Sequence, residues 1–170
     1  MEGQLISGNA DGGDIALATD FYELTMAAAY YYRYLIKPAD KATSDSKSEK
    51  GVFEMFIRKL PRNRSYLVAA GLEQVLYFLM NVRFNEEQLS YLKSLDIFKY
   101  VKEDFFEYLR IFKFTGTVWA VPEGTILFPN EPLIRVEAPM IEAQIVETYL
   151  LSMMNFQSLI ATKASRIVTA

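Results

Sequence analysis

The β-forming part of the sequence lies at Phe114–Pro139, which reads FTGTVWAVPEGTILFPNEPLIRVEAP. This stretch contains four prolines, two glycines and three short runs rich in β-forming residues. Such a composition is typical of short strands joined by tight turns. Pro122 with Gly124 predicts one turn, and Pro129 with Asn130 predicts another. We therefore expect a compact all-β section here, between segments that have helical periodicity.

A long helix is predicted to follow, because Pro139 suits a helix start and Met140–Ala170 has helical periodicity. Its 15 residues Thr148–Thr162 carry no charge. A membrane span needs roughly 20 apolar residues, so this run predicts a helix buried on several sides. The expected apolar face comprises Val146, Leu150, Met153, Ile160, Ala164 and Ile167. The expected polar stripe comprises Thr148, Ser152, Asn155, Thr162 and Arg166.

The final helix has no Gly or Pro stop after Ile167, although its periodicity continues to that point. A helix that is cut while still periodic is typical of a fragment. We therefore expect this chain to be part of a longer protein.

Near the N-terminus, a helix is predicted to begin at Thr19-Asp20. Asp20 suits the N-cap position, and Glu23, three residues later, suits the second position of a capping box. The helix is expected to end near Pro38. Its apolar residues recur at helical spacing: Phe21, Leu24, Ala28, Tyr31 and Leu35.

Strand and helix patterns follow each other between the first helix and the β-rich section. GVFEMFIRK (51–59) alternates as a strand, with Glu54, Phe56 and Arg58 predicted on one face. A second short strand is expected at Tyr66–Ala69. Helices are predicted with an N-cap at Asn85, over Phe98–Leu109, and with an apolar stripe at Leu72, Val75, Leu76, Leu79 and Met80.

Composition excludes several kinds of chemistry from this chain. Its 170 residues carry a net charge of −3, so we expect no nucleic-acid partner and no membrane partner. It has no Cys and no His, which removes disulfides, thiolate nucleophiles, Ser-His-Asp triads and His-ligated metals. No stretch reads as a signal peptide, so the expected location is cytoplasmic.

Three residues are candidates for binding a ligand: Asp20, Tyr22 and Arg58. Asp20 and Tyr22 fall in the first turn of a helix, where backbone N–H groups suit a phosphate or carboxylate. A Tyr ring can also stack on a flat ligand, for about 0.5–1.5 kcal/mol. Arg58 could bind a phosphate through two parallel hydrogen bonds. The residues alone leave structural roles open: a helix cap, a half-buried aromatic and a solvated strand end.

Five sequence blocks carry a resemblance: TDFYELTM (19–26), FEMFIRKLP (53–61), AAGLEQVL (69–76), VPEGTILFPNEPLIRVEAP (121–139) and ETYLLSMMNFQSLIATKASRI (147–167). In this order they resemble the N-terminal portion of nicotinate phosphoribosyltransferases. The resemblance runs from about Ala16 to the last residue. One branch of the family has a glycine-rich stretch after the LP, whereas Arg62–Ser65 resembles another branch.

The resemblance implies a fold and a reaction. The fold is the α+β N-terminal domain of a type II phosphoribosyltransferase, with the irregular α/β barrel expected downstream and largely missing here. The reaction forms nicotinate mononucleotide from nicotinate and phosphoribosyl pyrophosphate, as the first step of NAD salvage from nicotinate. ATP hydrolysis is coupled to it through a phosphorylated histidine, and Mg²⁺ accompanies the pyrophosphate. Family members are commonly homodimers with shared active sites.

The same resemblance implies substrate-binding roles for the three candidates. Tyr22 matches the tyrosine that stacks on the pyridine ring and is presented to the partner subunit's barrel, and Asp20 matches the acidic residue beside it. Arg58 matches a strand arginine near the phosphates of the neighbouring site. Because the chain has no His, the phosphoacceptor is expected after Ala170, and no catalytic residue is expected here. The fragment alone is therefore expected to be inactive.

The expected organisation is a flexible tail at 1–15, an α+β domain at 16–138 and the helical start of the barrel domain at 139–170. Within the α+β domain, 37–51 is predicted to be a mobile loop and 114–138 the β-rich section. Two alternatives stay open. One is a non-catalytic interaction domain, and the other is a related phosphoribosyltransferase that uses nicotinamide or quinolinate.

Overall fold

The computed structural model describes residues 15–35 and 49–170. All but the last residue of the predicted flexible tail and most of the predicted mobile loop lie outside these residues, as does Pro38, the expected end of the first helix. The described end of that loop differs from the prediction. Lys50 and Gly51 already belong to a strand, because Gly51 pairs with Ala138 of the neighbouring strand.

The described residues alternate between helices and strands in an α+β arrangement. In chain order they form α1 (Phe21–Tyr30), a π-helical turn (Tyr31–Leu35), β1 (Lys50–Phe56), β2 (Leu67–Val68), α2 (Leu72–Asn81), α3 (Glu86–Ser94), a 3-10 turn (Asp96–Phe98), α4 (Glu103–Arg110), β3 (Thr117–Ala120), β4 (Ile126–Leu127), β5 (Pro132–Pro139) and α5 (Met140–Thr169). The helix predicted over Phe98–Leu109 is thus divided into the 3-10 turn and α4.

The strand β5 is the centre of a three-stranded antiparallel sheet with the order β1-β5-β3. A second sheet pairs β2 with β4. The strands β3, β4 and β5 confirm the prediction of three short β runs between Phe114 and Pro139. Gly124 (φ 81°) and Asn130 (φ 69°) provide the left-handed conformations in the two predicted turns.

The core is built around α5, which packs on α1, β1 and β5. The first turns of α5 are buried on every side, from Ile141 to Val146. The prediction that Thr148–Thr162 is buried on several sides is wrong, because Leu151, Phe156 and Ile160 in that run are exposed. From the sheet, β5 contributes Leu133, Ile134, Val136 and Ala138 to the core. Among the described helices, none has the length and apolar character that a membrane crossing requires.

The buried face of α2 differs from the predicted stripe. Leu76 and Met80, both predicted to face the core, are exposed. The residues that are buried are Val75, Phe78 and Leu79. Helical spacing predicted the helix correctly but not its rotation. Phe78 stacks on Tyr149 of α5 with ring centroids 3.9 Å apart, and this contact determines which side of α2 faces the core.

The N-terminus of α3 is capped as predicted. The Asn85 side chain accepts a hydrogen bond from the Gln88 backbone N–H at 2.8 Å, and the Gln88 side chain accepts one from the Asn85 N–H at 3.0 Å. This reciprocal pair satisfies two backbone donors that a helix end leaves without partners.

The second half of α5 packs through polar side chains, so the predicted apolar face is wrong there. Two isoleucines of that face are exposed: Ile160 (52 %) and Ile167 (68 %). Thr162, predicted on the polar stripe, is buried, and its Oγ1 accepts from the Val68 N–H at 2.8 Å. Ser158 Oγ is buried as well and accepts from the Ala70 N–H at 3.1 Å. The hydroxyls satisfy backbone groups near β2, which apolar side chains could not do.

Candidate functional site

Tyr22 lies in the first turn of α1 and leaves 54 % of its surface exposed. Asp20 immediately precedes the helix and is exposed as well. The structure therefore brings these two candidates together at one end of α1. The Tyr22 ring is available for stacking, since it is not buried in the interior of its own domain.

The predicted capping box between Asp20 and Glu23 is absent. Asp20 has the extended backbone of an N-cap residue (φ −74°, ψ 131°), but its side chain forms no capping hydrogen bond. Glu23 is only 1 % exposed, and its carboxylate is turned towards α5. Glu23 accepts hydrogen bonds from side chains of α5, whereas the predicted capping box required it to accept from the backbone N–H of Asp20.

A polar network joins the first turn of α1 to α5. Gln144 Nε2 donates to one carboxylate oxygen of Glu23, and Thr148 Oγ1 donates to the other at 3.1 Å. The same Gln144 nitrogen donates to Glu147 Oε2 at 3.2 Å, and Thr148 Oγ1 lies 3.4 Å from Asp20 Oδ2. Glu23 is therefore held from α5, and Asp20 lies within reach of the same Thr148 hydroxyl.

Negative charge dominates this end of α1. The pKa of the Tyr22 phenol is raised, chiefly by its hydrogen bond to Glu23 and by the charge of that residue. Burial raises the pKa of Glu147, the charge of Glu23 adds to this effect, and the hydrogen bond from Gln144 opposes it. At neutral pH the Tyr22 ring is thus an uncharged stacking surface. The acidic side chains offset the positive end of the helix dipole, which makes this helix end less suited to a phosphate or carboxylate than the expectation assumed.

Arg58 lies elsewhere on the chain, in an exposed position after β1. The strand ends at Phe56, earlier than predicted, where it pairs with Pro132. Pro132 has no backbone N–H to continue the ladder, which accounts for the early end. Among the described residues, no contact joins Arg58 to Asp20 or Tyr22, so the structure brings together two of the three candidates.

The basic residues that follow Arg58 differ in their surroundings. Lys59 and Arg62 are exposed. Arg64 Nη1 instead donates to the Leu159 carbonyl of α5 at 3.2 Å. Arg64 therefore anchors this connection to α5, while the other cations remain available to solvent or to an anionic group.

An apolar groove opens between the sheet and α5. Its lining includes Phe53, Met55, Ile134, Val136, Val146 and Leu150. The charged side chains in the lining are Glu54 and Glu147, so the groove does not suit an anionic ligand. Because Glu147 also accepts from Gln144, the groove adjoins the polar network beside Tyr22.

In the described part of the chain, no group of three or more carboxylates is arranged to hold a metal ion. The acidic side chains near Tyr22 are occupied by hydrogen bonds from Gln144 and Thr148. These residues therefore do not fit Mg²⁺, and a metal that accompanies pyrophosphate would need ligands from elsewhere in the protein.

A family model described as the nicotinate phosphoribosyltransferase (NAPRTase) N-terminal domain matches residues 17–155. The chain belongs to the nicotinate phosphoribosyltransferase family. The resemblance carried by the five sequence blocks is confirmed, and so is the fold class, an α+β N-terminal domain with a long C-terminal helix. The assignment of 139–170 to the start of a barrel domain stays a prediction.

Known members of the nicotinate phosphoribosyltransferase family match most of this chain. A nicotinate phosphoribosyltransferase of Mycobacterium tuberculosis is 47% identical over 155 residues, which are 91% of this chain and 30% of that protein. One from Bacillus subtilis is 44% identical over 153 residues, 90% of this chain and 28% of that protein. The crystal structure of human nicotinic acid phosphoribosyltransferase matches with a TM-score of 0.71 and 35% identity, over 87% of this chain and 27% of that chain. This chain thus spans less than a third of the length of these relatives.

Sequence reasoning missed the contacts that Gln144 and Thr148 make with Glu23 in the first turn of α1. A signal was present, since Gln144 and Glu147 interrupt the apolar start of α5, and buried polar side chains need partners. The sequence could not identify Glu23 as their partner, because the predicted capping box already paired Glu23 with the backbone of Asp20.

Proposed function

We propose that the protein containing this chain transfers the phosphoribosyl group of phosphoribosyl pyrophosphate to nicotinate, which yields nicotinate mononucleotide and pyrophosphate. The observation that carries this proposal is the family match over residues 17–155, which includes the exposed Tyr22. Relatives in two bacteria carry the name of the same activity. This reaction places the protein at the entry of nicotinate into NAD synthesis.

In this proposal, Tyr22 stacks on the pyridine ring and Asp20 lies beside it. Departure of pyrophosphate leaves an oxocarbenium-like centre on the ribose, as in glycoside chemistry. The enzyme must then hold the pyridine nitrogen in line with that carbon, and such orientation can supply a large part of the rate enhancement. An uncharged, exposed aromatic ring on a fixed helix end is suited to this task.

The anionic groups of the substrates are held by cations away from the end of α1. Asp20, Glu23 and Glu147 disfavour a carboxylate next to Tyr22, so the carboxylate of nicotinate points away from these side chains. Arg58 is proposed to contact the phosphates of a neighbouring site. Because the neighbouring site belongs to a second subunit, this role of Arg58 requires a homodimer with shared active sites. The homodimer is part of the same proposal.

The proposal has three further parts. ATP hydrolysis is coupled to the reaction through a phosphorylated histidine, Mg²⁺ accompanies the pyrophosphate, and the protein is located in the cytoplasm. This chain has no His, so the phosphoacceptor has to come from residues outside it. The described residues do not fit a metal site, and no step of the reaction is assigned to Mg²⁺ on this chain.

The test measures the release of pyrophosphate from phosphoribosyl pyrophosphate by the full-length protein. Nicotinate, nicotinamide and quinolinate are offered separately, each with and without ATP. We expect saturable release with nicotinate, faster release with ATP, and nicotinate mononucleotide as the product. Turnover with nicotinamide or quinolinate alone would establish the related phosphoribosyltransferase in its place. A folded protein without turnover on any of the three pyridines would instead favour the interaction domain.

A further inference from the structure

The first turn of α1 is held mainly by side chains of another helix. Its N-cap residue, Asp20, forms no capping hydrogen bond with the turn. Glu23 in the same turn is a carboxylate with only 1 % exposure, and a buried charge is tolerated only when donors satisfy it. Both of its oxygens accept from α5, one from Gln144 Nε2 and the other from Thr148 Oγ1.

Thr148 reaches residues on both sides of Tyr22. Its hydroxyl lies 3.1 Å from Glu23 Oε1 and 3.4 Å from Asp20 Oδ2. Gln144 uses its amide nitrogen for both Glu23 and Glu147, so its removal would leave two half-buried or buried carboxylates short of a donor. These two side chains of α5 therefore anchor the helix turn that carries the exposed Tyr22 ring.

We infer that Gln144 and Thr148 are positioning residues for the pyridine ring, acting through Glu23 and the first turn of α1 on Tyr22. This inference rests on the proposed function, because it requires Tyr22 to stack on the substrate. Neither side chain touches the substrate. A displacement of a stacking ring by about 1 Å can reduce the rate by about 100-fold, so loss of these contacts changes substrate use without unfolding the protein.

The test uses steady-state kinetics of full-length Thr148→Val and Thr148→Ser. Valine keeps the shape of threonine but cannot donate, whereas serine keeps the hydroxyl. We expect Thr148→Val to raise the KM for nicotinate about three- to fivefold, which is no more than removal of the Tyr22 ring would, while the KM for phosphoribosyl pyrophosphate changes less than twofold. Thr148→Ser should stay within about twofold of the wild type in both constants, because its hydroxyl can still donate to Glu23.

Thr115→Val is the matched control. The Thr115 hydroxyl also donates to a buried glutamate of α5, Glu142, at 2.9 Å, but this pair has no described contact with the first turn of α1. Both valine variants remove a hydroxyl from a buried carboxylate, so both should lower the thermal stability. Only Thr148→Val should raise the KM for nicotinate.

A second measurement follows α1 directly. Hydrogen exchange of the peptide 19–26 should be faster in Thr148→Val than in Thr115→Val or the wild type. Unchanged nicotinate KM in Thr148→Val, an equal rise in Thr115→Val, or no rescue by Thr148→Ser would each overturn the inference while the wild type remains active. Absence of wild-type turnover with nicotinate would instead overturn the proposed function, and this inference with it.

Discussion

Tyr22 combines an exposed ring with a helix turn that is anchored from α5. We predict that Tyr22→Ala raises the KM for nicotinate about three- to tenfold, because ring stacking contributes about 0.5–1.5 kcal/mol. Tyr22→Phe keeps the ring and should stay close to the wild type. Steady-state kinetics with thermal unfolding of the full-length variants test this. Equal KM values in the alanine and phenylalanine variants, or a large loss of stability in Tyr22→Ala, would contradict a stacking role.

Glu147 provides a pH-dependent prediction, because burial and then the charge of Glu23 raise its pKa. A carboxyl with a raised pKa in the folded state favours folding while it is protonated. This contribution is lost as the pH rises from about 4.3, the ordinary glutamate value, through the pKa in the folded protein. We therefore predict that Glu147→Gln gains stability relative to the wild type as the pH rises from 4 to 7.

Denaturant unfolding of the full-length wild type and Glu147→Gln across this pH range measures the difference in the free energy of unfolding. The glutamine side chain keeps an oxygen that can accept from Gln144, so the hydrogen bond is preserved. The difference in the free energy of unfolding could instead stay constant with pH, or the wild type could gain stability relative to Glu147→Gln as the pH rises. Either result would show that the charge of Glu147 does not destabilise the folded protein.

The resemblance predicted a surface position for Tyr22, which the structure confirms, whereas the local spacing predicted the wrong role for Glu23. The spacing of Asp20 and Glu23 fits a capping box, and nothing local distinguishes a capping carboxylate from a buried one. The burial of Glu23 depends on Gln144 and Thr148, which lie more than 120 residues further along the chain. Local patterns cannot report such a contact.

At the scale of secondary-structure elements, the second half of α5 contacts the segment around β2 through hydroxyl groups, where the sequence predicted an apolar face. Ser158 Oγ lies 3.1 Å from both the N–H and the carbonyl of Ala70, and the residue is fully buried. We predict that Ser158→Ala lowers the free energy of unfolding by about 1–3 kcal/mol, because the Ala70 N–H loses its partner in a buried position.

Ser152→Ala is the control for this prediction, since Ser152 is exposed on the same helix. Its effect should stay within about 0.5 kcal/mol. Urea unfolding of both full-length variants makes the comparison. Similar losses in the two variants would show that the contact with Ala70 does not determine the effect, since the replacement of Ser by Ala favours the helix at both positions.

The existence of α2 and α5 was predictable from periodicity, whereas their buried faces were not. On α2, Leu76 and Met80 have the same spacing as the buried Val75 and Leu79, so two stripes compete in the sequence. Only the partner element decides between them, as the contact of Phe78 with Tyr149 does here. The β-rich section was predicted more fully because its turns depend on local Pro, Gly and Asn chemistry.

At the scale of the whole molecule, large apolar side chains remain exposed on the three-stranded sheet and on α5. The outer face of the three-stranded sheet carries Val52, Phe56 and Trp119, each between 43 % and 53 % exposed. The central strand adds Glu137 and Arg135 to this face, and Arg135 lies over the Trp119 ring. The outer side of α5 carries Phe156 (65 %) and Ile160 (52 %). Isolated exposed apolar side chains are common, but grouped ones on a sheet face and a helix are typical of surfaces that pack against other protein.

We predict that the isolated 1–170 chain binds a hydrophobic dye and sediments as species larger than its 19.5 kDa monomer. The full-length protein at equal molar concentration should bind less dye, because the family relatives continue well beyond this stretch and their remaining length can cover these surfaces. Ile160→Gln should reduce dye binding and association of the isolated chain, while Ser152→Ala should leave both unchanged. A stable monomer of residues 1–170 that binds no dye would contradict this prediction and favour an independently folding interaction domain.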